Sequence, residues 1–133
     1  MKKIVVLSIF TSLLIANEYA VVANKEFQNL SKADIKVIYL KKSSYINDKK
    51  VIPINLGSRD KIRKSFEKNV LNMSFPRLKA YWTKQHYLGH RPPITMKSQE
   101  SIKLFIQKID SAVGYMEVKN VTNNLKILYK WSD

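Results

Sequence analysis

Tyr19 to Ala23 form an unbroken apolar run between Glu18 and Asn24. A run of this kind predicts a strand buried on both faces, central in its sheet and parallel to its neighbours. Ser31-Lys-Ala-Asp34 then reads as a helix start, because Ser31 can cap, Asp34 can reach back, and Leu30 can meet Ile35 as a hydrophobic staple. A short helix is expected from Lys32 to Leu40. Lys41 to Lys50 is polar and reads as a loop, and Val51 to Leu56 reads as a second strand. Pro53 assigns that strand to an edge or to irregular pairing, since proline lacks the N–H of a ladder.

Beyond Gly57, Ile62, Phe66 and Val70 recur every four residues while Lys61, Arg63, Lys64 and Lys68 take the other side. Asp60 to Leu71 is therefore an expected amphipathic helix. Ser74 and Pro76 open another, carried inward by Phe75, Leu78 and Trp82 and ending near Gly89. A short strand follows from Ile94 to Lys97, and Ser98 caps a helix with an Ile102, Phe105, Ile106 and Ile109 stripe. Val113 to Val118 and Leu125 to Tyr129 close the chain as strands. The alternation predicts a single α/β domain with right-handed crossovers and a mixed sheet carrying helices on both faces.

The first sixteen residues stand apart. Lys2 and Lys3 precede an apolar run from Ile4 to Ala16, followed by the polar pair Asn17 and Glu18. This is the charge and hydropathy profile of a secretory signal, too short to span a bilayer, where about 20 residues are needed. Cleavage is expected after Ala16 or Ala20, leaving 17–133 as the mature domain. With 24 Lys and Arg against 10 Asp and Glu, the formal charge is +14, and its field attracts anions. The chain has no cysteine, which excludes disulfides, thiolate nucleophiles and thiolate metal sites.

In chain order, Tyr19-Ala-Val-Val-Ala-Asn-Lys25, Leu30-Ser-Lys-Ala-Asp-Ile35, Val51-Ile-Pro-Ile-Asn-Leu56, Arg63-Lys-Ser-Phe66, Leu78-Lys-Ala-Tyr-Trp82, Pro92-Pro93 and Ala112-Val-Gly-Tyr115 form a recognisable series. Through it the chain resembles the phosphate ABC transporter substrate-binding family, as a short single-lobe relative. The resemblance implies one lobe of a type 2 periplasmic-binding-protein-like fold, a periplasmic location and recognition of phosphate or a related oxyanion. The family's Ser-Gly-Thr-Arg signature falls on Asp60-Lys61-Ile62-Arg63, so of that set only the arginine is kept.

Gly57-Ser-Arg-Asp-Lys-Ile-Arg63 is the candidate anion site, since it places Ser58, Arg59, Lys61 and Arg63 around an expected helix start with its unpaired N–H groups. The same residues also fit a capped helix with a solvated basic face, and Asp60 repels an anion unless that anion carries a proton. His86 and His90 have the i, i+4 spacing of metal ligands, but Gly89 ends the helix between them and cations surround them; exposed loop histidines are the expectation, with no metal and no cofactor. Tyr81, Trp82 and Tyr87 interleave with Arg77, Lys79 and Lys84 in a manner that could stack bases. Trp82 shares a helical face with Phe75 and Leu78, however, so burial is expected and nucleic acid is not the favoured partner. No nucleophile array or acid–base pair is present, so no enzyme is expected. Two classes remain. One is an exported binding module for a small phosphate-like oxyanion. The other is an envelope interaction protein that keeps the fold, lacks the ligand site, and binds a protein partner or the anionic membrane surface.

Overall fold

The computed structural model describes residues 3–6 and 17–133. The expected signal segment apart from residues 3–6, and the Ala16 cleavage site, therefore fall outside the described residues, whereas Ala20 lies inside the buried strand Glu18–Asn24. Seven strands and four α-helices follow one another as β1 (Glu18–Asn24), α1 (Lys32–Tyr39), β2 (Tyr45–Ile46), β3 (Lys49–Lys50), β4 (Ile52–Leu56), α2 (Lys61–Asn69), α3 (Phe75–Tyr87), β5 (Ile94–Met96), α4 (Gln99–Lys108), β6 (Ala112–Glu117) and β7 (Leu125–Ser132), with a 3-10 turn at Val118–Asn120.

Five strands form one mixed sheet in the order β5-β4-β6-β1-β7. β4 runs parallel to β5 and β6, whereas β1 is antiparallel to both its neighbours, Val21 lying opposite Tyr115 on one side and Tyr129 on the other. This corrects the parallel direction expected for β1. An apolar run reports burial on both faces, and that burial comes from helices above and below the sheet whichever way the neighbouring strands run.

Residues adjacent along β6 show the two layers. A Cβ at Gly114 would overlap Ile102 Cγ2 and meet Ile106, so α4 lies directly on that face. Tyr115 points the opposite way, as strand periodicity requires, and stacks on Phe66 of α2 at 4.1 Å between ring centroids. Tyr39 of α1 meets the same Phe66 ring edge-on at 4.7 Å, and Trp131 of β7 adds a further aromatic at 5.7 Å. Aromatic pairs in such offset and edge-on arrangements contribute beyond their buried area.

The local start signals act as expected. Ser31 and Asp34 make a reciprocal capping box for α1, with Ser31 Oγ accepting from Asp34 N–H at 3.1 Å and Asp34 Oδ2 accepting from Ser31 N–H at 2.9 Å. Leu30 and Ile35, the two staple residues, are both buried. β4 is interior, between β5 and β6, which corrects the edge position or irregular pairing expected from Pro53. Ile52 N–H donates to Ser111 O at 2.8 Å on the β6 side. The Pro53 nitrogen faces the opposite side, one residue before pairing with β5 begins at Ile54.

Three further expectations are corrected. The polar stretch before β4 contains a two-residue hairpin between β2 and β3, with Asn47 at φ 50° and Asp48 at φ 63°. Positive φ at both central residues is the turn geometry whose twist matches paired strands. Phe75 is 72% exposed rather than carried inward; it is the first residue of α3 and borders an open hollow beside α2 instead of the core. Ile109 lies just past the end of α4 with an extended backbone and stands on the rim of the core.

Candidate functional site

Leu56 and Met96 are paired neighbours at the ends of parallel strands β4 and β5, so the segments that follow both open on one end of the sheet. From there the chain enters α2 through Ser58, Arg59 and Asp60, and α4 through Lys97 and Ser98. Two helix starts thus lie beside adjacent strand ends. Such ends offer N–H groups outside the helix ladder and a partial positive charge.

Each start is partly occupied by its own cap. Asp60 Oδ1 accepts from Ile62 N–H at 2.8 Å, which places a carboxylate at the mouth of α2. Ser98 Oγ accepts from Ser101 N–H at 3.1 Å. Gln99 then ties α4 to the end of β6: its Nε2 donates to Glu117 Oε1 at 3.0 Å, and its Oε1 accepts from Glu117 N–H at 2.9 Å and from Asn120 Nδ2 at 2.8 Å. The Gln99 hydrogen bond, aided by Lys119, holds the Glu117 carboxyl below the usual range for glutamate.

Of the four residues expected to meet an anion, Ser58, Arg59 and Lys61 are exposed at the α2 start. Arg63 turns inward. Its side chain is only 17% exposed, its Nη1 donates to Leu56 O at 3.0 Å, and its Nε faces Glu67 Oε2 at 3.5 Å. Tyr115 completes the clamp on Leu56, its hydroxyl accepting from Leu56 N–H at 3.1 Å while donating to Asn55 Oδ1 at 2.9 Å. Burial pushes the Tyr115 phenol well up, against the opposing pull of the Leu56 N–H and Arg63. Ser58 also borders a hollow of about 850 Å³ between α2 and the start of α3, lined among others by Lys64, Lys68, Asn72 and Phe75.

Lys97 and Ser98 follow β5 at this end of the sheet, where the sequence presents them only as a strand end and a helix cap. Their one signal is the parallel pairing of β4 with β5, which a sequence pattern does not carry. His86 lies in the last turn of α3, and His90 lies beyond Gly89 at φ 81° with its Nδ1 2.8 Å from Gln85 Oε1. Among the described residues no three His, Asp or Glu side chains cluster as metal ligands. Trp82 is half-buried and meets Tyr81 edge-on at 5.0 Å.

No protein-family model matches the sequence, and no curated protein does. Solved structures do share its fold. An ABC-type phosphate transport receptor from Vibrio cholerae superposes with a TM-score of 0.67 at 18% identity, over 85% of this chain and 46% of the receptor. A phosphate ABC transporter substrate-binding protein with bound phosphate from Clostridium perfringens gives 0.68 at 18%, over 85% and 44%. PstS from Borrelia burgdorferi gives 0.61 at 15%, over 86% and 48%. The chain spans less than half the length of these proteins, and its mixed sheet with helices on both faces is the fold of a single lobe of a phosphate-transport receptor.

Proposed function

We propose that the chain is an exported, non-catalytic binding lobe that recognises a small phosphate-type oxyanion at the end of the sheet where α2 and α4 begin. The observation that carries this reading is that two helices start just beyond the ends of neighbouring parallel strands, with Ser58 and Arg59 leading into α2, Lys61 as its first residue and Lys97 leading into α4. The apolar, Lys-headed segment before Asn17 supports export to the periplasm. The shared fold with proteins described as phosphate receptors supports the ligand class.

The chemistry of the mouth selects among oxyanions. Asp60 uses one carboxylate oxygen to cap Ile62 N–H, and its remaining acceptor capacity suits a ligand that brings a proton. Phosphate carries one at neutral pH, whereas sulfate does not, so phosphate is the favoured anion and sulfate meets repulsion. Binding by one lobe leaves the anion solvated on its far side, which limits affinity, because closure around a ligand is what removes competing water. Arg63 acts in this reading as a brace for Leu56, and Arg59 and Lys61 supply the exposed cations.

The test is thermal unfolding in phosphate, sulfate and chloride at matched ionic strength. A phosphate-selective rise in Tm is expected, since a ligand that binds only the folded state stabilises it. Arg59→Gln/Lys61→Gln should reduce that rise without lowering the Tm in chloride. An equal response to all three salts overturns the reading. That result favours the alternative, an envelope interaction protein without a ligand site, for which Asp60 at the mouth and the inward turn of Arg63 are the supporting observations.

A further inference from the structure

α3 is the longest of the described helices and the least covered, with Leu78 its only buried residue. Its outward stripe runs Pro76, Ala80, Thr83 and Tyr87, at the spacing of one helical face. With Leu88 this stripe lines a shallow, open hollow bordered by Lys79 and Lys84. Tyr87 is 86% exposed and Leu88 58%.

The charge around this face is one-sided. From Lys68 to Gln99 the sequence contains six Lys and Arg and no Asp or Glu, a span of 32 residues. Among the described residues the ion pairs are Arg63–Glu67, Lys103–Glu100 and Lys119–Glu117, none of which involves α3. On the flank toward α1, Lys36, Lys42, Arg77 and Lys84 border a second hollow whose lining includes no carboxylate. The cations around α3 are therefore left for an external anion.

We propose that the outer face of α3 docks the protein on an anionic phospholipid bilayer, with Tyr87 and Leu88 entering the headgroup region and Lys79 and Lys84 meeting lipid phosphates. Exposed aromatic and aliphatic tips with flanking lysines suit an interface where one end of a side chain is apolar and the other wet. The hollow along this face is shallow and open rather than an enclosed groove for a partner helix. Stacking on nucleic acid is disfavoured because Trp82 packs on Tyr81, whose hydroxyl is tied to Leu40 O at 2.6 Å.

The absence of cysteine from the sequence permits a local readout in the full chain. An environment-sensitive fluorophore is attached through Thr83→Cys, on the stripe, or through Asn123→Cys, in the exposed connection before β7. Because the probe is local, it distinguishes α3 docking from any attachment of the apolar segment before Asn17. With phosphatidylcholine–phosphatidylglycerol vesicles the label at 83 should brighten and shift to shorter wavelength, with no change at 123 and none at either site on phosphatidylcholine alone. Lys79→Gln/Lys84→Gln should weaken the response by about tenfold or more, each lysine near an anionic surface contributing on the order of 1 kcal/mol. Tyr87→Ser/Leu88→Ser should also reduce it, as a check that does not alter charge. A silent label at 83, an equal response at 123, or an equal response on neutral vesicles overturns the proposal. So does an equal response to soluble polyglutamate, which would assign the face to an acidic protein.

Discussion

Both backbone groups of Leu56 are held by side chains from other elements: Tyr115 of β6 takes the N–H and Arg63 of α2 the carbonyl. This clamp shapes the end of β4 just before Ser58 and Arg59. Tyr115→Phe leaves the Leu56 N–H and Asn55 Oδ1 buried with a partner lost. A loss of about 1–3 kcal/mol is expected, read as a lower urea midpoint at unchanged slope. The inward turn of Arg63 was not legible in its sequence context. Its acceptor is a main-chain carbonyl at a strand end, and side-chain identity says nothing about where a carbonyl points. Lys61 was legible, because the alternation of apolar and basic residues places it on the solvated side of α2, and Arg59 because it stands in the polar turn before the Asp60 cap.

Helix starts were the most readable elements, since a cap and its partner lie within a few residues of each other. Ser31, Asp60, Ser74 and Ser98 all cap the helices that follow them. The β2–β3 hairpin carried a signal in Asn47-Asp48, a pair enriched in turns that need positive φ. Asp48, at φ 63°, occupies a conformation in which glycine carries no Cβ penalty. Asp48→Gly should therefore raise stability by about 0.5–1 kcal/mol, visible as a higher Tm in thermal unfolding followed by circular dichroism. Strand direction was not readable in the same way. The run in β1 is equally apolar in a parallel or antiparallel setting, and only its pairing with β6 and β7 decides between them.

Over the whole molecule, pH acts through the aromatic cluster that joins α1, α2 and the sheet. Burial raises the Tyr39 and Tyr115 phenols well above the ordinary tyrosine value, and Tyr39 donates to Ile54 O at 2.9 Å from inside the core. A tyrosine whose folded pKa is raised contributes its full stability below the unfolded value of about 10, and that contribution falls as pH rises toward the folded value. Stability should hold to about pH 10 and then fall steeply. Urea unfolding between pH 8 and 11 checks this, and Tyr115→Phe should flatten the alkaline limb even though it lowers stability at neutral pH. The net charge of +14 works at the same scale, but on association: it supplies an attractive field for anions, while the arrangement of α3 and the α2 start decides where an anion can be met.

By itself the sequence determined the alternation of strand and helix, the caps, the apolar residues that form the core, the basic charge and the resemblance to one lobe of a phosphate receptor. These depend on composition, on periodicity and on contacts between residues a few positions apart. The tertiary structure alone decided the antiparallel setting of β1, the pairing that sets Met96 beside Leu56, the inward turn of Arg63 to Leu56 and the exposure of the outer face of α3. Each of these depends on which strands and helices become neighbours, and that choice is made by the packing of the sheet's two faces rather than by any local run of residues.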